Sequence, residues 1–235
     1  MRNYKRLLAL SGLCVVAHFA ATAGGAIIKV DHSNEAANPP SGWNVLDPVP
    51  GAATAVLDSN GNDDGVTVTY NANWTRSGAT GQAGAFVGTS WEDAANDRFF
   101  AKDNTTGTIT ISGLLASQTY TIQIIGADSD NTKDRTADYQ VNGSFGDGAT
   151  PFDGDNYNPY VDGYQNGRVM TFSNISPDGS GEIGITATGV GTDPLQKFAI
   201  LSAYTIEGNF VPEPSSFALS LLGLLGLTLI RRRRR

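Results

Sequence analysis

The chain has 235 residues, a formal net charge of −7, and only 1 cysteine and 2 histidines. The single cysteine rules out an internal disulfide framework and a thiolate metal site. The acidic balance rules out a polycationic surface of the kind that holds nucleic acid or anionic lipid.

At the start of the chain, Arg2, Lys5 and Arg6 precede an apolar run over 7–21, and Ala21-Thr22-Ala23 is a small-residue cleavage site. Together they read as a secretory signal peptide over 1–23, served by the Sec export machinery. Cys14 lies inside it, so the exported chain has no thiol, and His32 is its one histidine. From Gly24 to Val211, 8 Lys plus Arg face 22 Asp plus Glu, leaving a net charge of −14. That span holds neither a Pro/Ser linker nor an internal repeat, so one β domain over 24–210 is expected.

The body reads as short strands separated by Gly, Asn and Asp. Residues 26–30 are a first strand. Val66-Thr67-Val68-Thr69-Tyr70 alternates, which places Val66, Val68 and Tyr70 inward. Residues 108–111 and 119–125 repeat the pattern, with Tyr120, Ile122 and Ile124 on one face. Further strands are expected over 136–141, 168–172, 182–187 and 198–207, and Pro177-Asp178-Gly179-Ser180-Gly181 is a hairpin signal. The one helical candidate is a turn or two over 91–96. About nine strands make an all-β chain, a single jelly-roll or Greek-key β-sandwich.

Leu114, six residues before Tyr120 in Ile111-Ser112-Gly113-Leu114…Thr119-Tyr120, resembles the tyrosine corner of fibronectin type III and immunoglobulin-like sandwiches. The resemblance implies that the Tyr120 hydroxyl ties an arch between two sheets to the backbone. Several strand and turn signatures resemble galactose-binding and malectin-like jelly rolls. They are Ile28-Lys29-Val30-Asp31, Ser41-Gly42-Trp43-Asn44, Leu57-Asp58-Ser59-Asn60-Gly61, the stretch from Arg135 to Gly143, and Ala199 to Ile206. That similarity implies a sandwich fold and an interaction with sugars.

Nucleophilic catalysis needs a histidine base, and a lone His32 beside Asp31 at a strand end reads as a surface or turn residue. No Gly-x-Ser-x-Gly elbow or His-Glu-x-x-His helix occurs. A polysaccharide hydrolase using a pair of carboxylates is the alternative, with Glu92 and Asp93 as the best candidates. Calcium needs hard oxygen ligands from alternating Asp and Asn in a glycine-rich loop. Asp58, Asn60, Asn62 and Asp64 supply that pattern, although Asn71 stands where a closing glutamate belongs. Asp128, Asp130 and Asp134 form a second acidic group, and Asp147, Asp153 and Asp155 a third. Sugar binding uses an exposed aromatic plate beside polar side chains. Of Trp43, Trp74 and Trp91, Trp74 with Arg76 has the most polar setting, and Tyr157 and Tyr160 lie in an Asp/Asn-rich loop.

The chain ends with Val211-Pro212-Glu213-Pro214, a short apolar helix over 215–230, and a cluster of arginines, Arg231, Arg232, Arg233, Arg234 and Arg235. Fixed positive charge after an apolar run halts transfer across the inner membrane. The 14 apolar residues over 217–230 rise about 21 Å, so the arginine stems must reach to the interface. This segment, 211–235, resembles the PEP-CTERM sorting signal of Gram-negative bacteria. The resemblance implies an exosortase partner that cuts near the Pro-Glu-Pro motif, and a host that makes extracellular polysaccharide. The expectation is an exported, non-catalytic module, carbohydrate-interacting or structural, at the cell surface or in the extracellular matrix, bound to membrane only until processed.

Overall fold

The structure, a computed structural model, describes residues 25–32, 41–77, 83–101, 105–132, 134–142, 152–192 and 197–210. The signal peptide expected over 1–23, the sorting segment 211–235 with the membrane helix expected over 215–230, and Asp147 lie outside these. Among the described residues no helix is long and apolar enough to cross a membrane.

Fourteen strands are formed among the described residues: β1 Ala26–Asp31, β2 Asn44–Val45, β3 Thr54–Leu57, β4 Asp63–Tyr70, β5 Trp74–Ser77, β6 Arg98–Ala101, β7 Thr106–Ser112, β8 Tyr120–Ile125, β9 Ala137–Asn142, β10 Phe152–Tyr157, β11 Met170–Ile175, β12 Ile183–Gly189, β13 Ala199–Leu201 and β14 Ala203–Gly208. Five of them make one sheet, in the order β11-β8-β14-β1-β2, and six make the other, β10-β9-β12-β7-β4-β3. After β7 the chain passes from sheet to sheet at β8, β9, β11, β12 and β14, so the sandwich expected from the sequence is formed. Alternation drives it. Ile28 and Val30 of β1, Val66, Val68 and Tyr70 of β4, Ile122 and Ile124 of β8, and Ile183 and Ile185 of β12 all turn into one core. Each fully buried aliphatic side chain of this kind contributes roughly 1.5–3 kcal/mol.

A third, three-stranded sheet, β13-β6-β5, is not foreshadowed by the sequence. The single strand expected over 198–207 breaks at Ser202, which gives β13 to this small sheet and β14 to the five-stranded one. The expected helix over 91–96 is a run of turns, closed by Ala95 N–H to the Trp91 carbonyl at 2.8 Å and Asn96 N–H to the Asp93 carbonyl at 3.2 Å. A π-helix forms instead at Pro159–Gln165. Asn158 caps it through its side-chain oxygen, which accepts from Tyr160 and Val161 N–H, while Asn158 N–H donates to Asp162.

The tyrosine corner is present. The Tyr120 hydroxyl accepts from Leu115 N–H at 3.0 Å and donates to the Asn209 carbonyl at 3.1 Å, and Phe210 packs on its ring at 5.6 Å. Tyr120 thus pins the last residues of the body at the point where the sorting segment leaves. Tyr120→Phe keeps the ring and removes both bonds, so it should cost about 1–3 kcal/mol in urea unfolding, with the loss absent if the hydroxyl is replaceable by water.

Candidate carbohydrate-binding site

Two sequence-selected aromatics prove to be structural. Trp74 is only 4% exposed. Its indole N–H donates to the Thr108 carbonyl at 3.1 Å, and the ring lies over Gly107, where an added Cβ would come within 2.5 Å of it. The polar neighbours that suggested exposure line the turn, while the missing side chain at Gly107 makes the slot for the ring. Arg76 lies in β5, and its side chain is outside the described part. Tyr157 is fully buried, its hydroxyl set against the carbonyls of Gly126 at 2.9 Å and Arg168 at 3.0 Å. Tyr160 is half-buried on the π-helix, stacked on Tyr164 at 5.9 Å. The structure therefore does not bring Trp74, Tyr157 and Tyr160 to one exposed plate.

The acidic groups are also absorbed. Asp58 accepts hydrogen bonds from the backbone and side-chain amides of both Asn60 and Asn62, at 2.8–3.3 Å. Burial acts upward on Asp58, but the donors of Asn62 and Asn60 outweigh it and hold its carboxyl below the ordinary value. Asp64 is pushed up by burial and by the charges of Asp58 and Asp63. Asp128 and Asp130 are paired with Arg98 and Arg135. Asp134 accepts from Thr136, Thr192 and Asn158, and the Thr136 hydroxyl with the Thr192 amide lowers its carboxyl to about 2. Asp153 and Asp155 lie in β10, and their side chains are outside the described part. Among the described residues no three or more His, Cys, Asp or Glu side chains are grouped as metal ligands. Glu92 accepts from Gly88 N–H at 2.7 Å, which makes it the clasp of the 88–92 turn.

His32 is not at the surface. It is 0% exposed, stacked on Phe99 at 4.6 Å, and its Nε2 shares a 2.9 Å hydrogen bond with the Tyr70 hydroxyl. It is a core residue because the chain beyond the end of β1 stays between the sheets, where His32 N–H donates to the Ser202 carbonyl at 3.0 Å. Burial lowers its pKa to about 3, so the ring is neutral at physiological pH and sealed from solvent.

What the fold does present is Trp43. Gly42, at φ +78°, carries the chain over Ser59, whose carbonyl would lie 3.1 Å from a Cβ there. Asn44 then clamps three strands: its Nδ2 donates to the carbonyls of Lys29 and Leu57, and its Oδ1 accepts from Leu57 N–H at 2.8 Å. Between these fixed points the half-buried Trp43 stands edge-on to the half-buried Trp91, with centroids 5.5 Å apart and planes at 68°. The Lys29 ammonium sits 5.7 Å from the Trp43 centroid. A cleft of about 340 Å³ opens beside it, lined by Trp43, Asn44, Asp58, Ser59 and Asn60. An aromatic wall beside amide, hydroxyl and carboxylate groups suits a ligand with C–H faces and many hydroxyls, which is the surface of a sugar ring. Trp43 and Trp91 are 48 residues apart, so only the Gly before Trp43 hinted at a turn that would display it.

In class, then, the molecule is a β-sandwich, antiparallel except for the β1–β2 pair, with a cleft walled by Trp43 at one edge. Residues 210–235 match the PEP-CTERM protein-sorting motif, which implies export and exosortase processing. No curated protein matches the chain in sequence. Similar solved structures include the family 32 carbohydrate-binding module of Clostridium perfringens NanJ, in complex with galactose (18% identity, 60% of this chain and 93% of that one, TM-score 0.35). A second is the module TmCBM61 with β-1,4-galactotriose (12%, 60% and 86%, TM-score 0.31). A third is a fucolectin from striped bass serum (14%, 59% and 45%, TM-score 0.32).

Proposed function

We propose that the protein is an exported, non-catalytic carbohydrate-binding module that an exosortase delivers to the cell surface or extracellular matrix, where it engages extracellular polysaccharide. The single observation that carries this is the Trp43–Trp91 pair, held rigid beside a polar cleft. Of the two, Trp43 lines the cleft with Trp91 backing it edge-on, and the part of the Trp43 ring left in water is apolar surface that a sugar face would cover. The acidic body, at −14, favours a neutral glycan over a polyanion. Calcium at the 58–65 loop is a separate proposal, supported by the mutual charge of Asp58, Asp63 and Asp64.

A glycan array of the secreted body, run with calcium and with chelator, tests both. Retention of neutral glycans is expected, with Trp43→Ala weakening it by roughly tenfold or more. Retention unaffected by Trp43→Ala would remove the cleft from the function. Binding unchanged by chelator, together with an unmoved unfolding midpoint, would remove calcium. Reducing ends released from a polysaccharide panel would replace the binding module with a hydrolase.

A further inference from the structure

Among the described residues, the 83–96 segment covers one end of the outer face of the five-stranded sheet. Ile125 and Ala203 point outward and are buried beneath Ala83, Phe86, Ala94 and Ala95 of the 83–96 segment. The next row along the strands is entirely polar, open at three of its four positions and closed at Thr205, which is 6% exposed. Lys29 pairs with Thr205, Thr205 with Gln123, and Gln123 with Thr171, one residue from each of four adjacent strands. All four point outward, since the neighbours on either side of each turn into the core. Thr171 is exposed, Lys29 and Gln123 are half-buried, and the Thr205 hydroxyl donates to Gln123 Oε1 at 3.5 Å. The row begins under Trp43, whose ring Lys29 faces. Beyond it lies a polar depression of about 380 Å³ containing Thr121, Glu207 and Asn174. Asn174 is the one described non-glycine residue at positive φ, 62°, where the β11 strand bulges between Phe172 and Ile175.

We propose that this row is a cross-strand groove for a neutral, extended polysaccharide chain, entered from the Trp43 platform. The inference rests on the carbohydrate-binding reading and extends it from one sugar ring to a chain. Strands lie about 4.8 Å apart, close to the ring-to-ring repeat of an extended β-linked glycan. Three of the four strands therefore offer a hydrogen-bonding side chain, Lys29, Gln123 and Thr171, while the buried Thr205 holds Gln123 between them. Segment 83–96 borders the row where it packs on Ile125 and Ala203, and the charge of −14 on the body disfavours a polyanionic occupant.

The test is calorimetric titration of the folded secreted body with β-1,4-linked glucose, galactose and mannose oligomers of one to six units. Affinity should rise by about tenfold or more from disaccharide to tetrasaccharide. Gln123→Ala combined with Thr171→Ala should abolish that rise while leaving disaccharide binding intact. Trp43→Ala should weaken every length. Thermal unfolding of each variant checks that it is folded. A double variant that keeps the full length dependence overturns the groove and leaves the Trp43 site standing. A native protein that binds no oligomer overturns both. If sedimentation instead finds a dimer that Thr171→Arg splits, the face belongs to a second copy of the chain and the groove is overturned.

Discussion

Asp128→Ala is expected to lower the free energy of unfolding by about 3–5 kcal/mol. Asp128 is only 1% exposed and accepts from two guanidinium groups, Arg98 at 2.5 Å and Arg135 on its other oxygen. Arg135 also reaches Asp130 at 2.8 Å and lies over the Phe198 ring at 5.4 Å. Burial disfavours the Arg98 cation, so removing the carboxylate that faces it leaves charge in a poorly solvated place. The network joins β6 through Arg98 to the segment between β8 and β9, and so fastens the three-stranded sheet to the sandwich. Asp128→Ala should therefore loosen β5, β6 and β13 first, seen as faster amide exchange there than in β7 or β12. Asp128→Asn keeps the shape and the acceptor and should lose less. A loss below about 1 kcal/mol in Asp128→Ala would mean that Asp130 takes over both arginines.

The same network explains where sequence reading stopped. Asp128, Asp130 and Asp134 look like calcium ligands in a linear reading, which shows neither Arg135 folding back onto Asp128 and Asp130 within its own segment nor Arg98 reaching Asp128 from β6. Trp74 misled for the same reason: its burial is decided by Gly107, 33 residues away in β7, and a polar neighbourhood in sequence says nothing about a slot across a sheet. Local signals were legible where the interaction is itself local or periodic. The alternation of β4 and β8 fixed which faces are buried, and the spacing from Leu114 to Tyr120 anticipated a hydroxyl-to-backbone tie five residues apart. The sorting motif was legible because it is read as a linear string. The Trp43–Trp91 wall was not, since it forms only when β2 pairs parallel to β1 and the 83–96 segment folds over the sheet.

Asp31 and His32 should give the protein opposing pH dependences that largely cancel in the native chain. Asp31 is 3% exposed, and burial, with the charges of Asp97 and Asp93, raises its pKa from 3.8 to about 7. Its contribution to stability is complete below pH 3.8 and is lost as pH rises through 7, a change of about 4 kcal/mol. Burial depresses His32 from 6.5 to about 3, so its contribution is complete above pH 6.5 and is lost as pH falls through 3, about 5 kcal/mol. Among the described residues, Asp31 Oδ1 and His32 Nδ1 have no hydrogen-bond partner, which fits groups that fold in their neutral forms. Between pH 3.8 and 6.5 each residue alone imposes a slope of about 1.4 kcal/mol per pH unit, with opposite signs. Urea unfolding from pH 4 to 8 resolves them. Asp31→Asn should gain stability relative to the native chain as pH rises through this window, and should fall steeply in acid because His32 is then unopposed. His32→Gln should do the reverse, holding its stability better as pH drops. The slope is the readout, because a lost stack on Phe99 or an unpaired amide shifts the whole curve without tilting it. An Asp31→Asn curve parallel to the native one would mean that the Asp31 carboxyl is ionised in the folded protein, with solvent reaching it under the 83–96 segment.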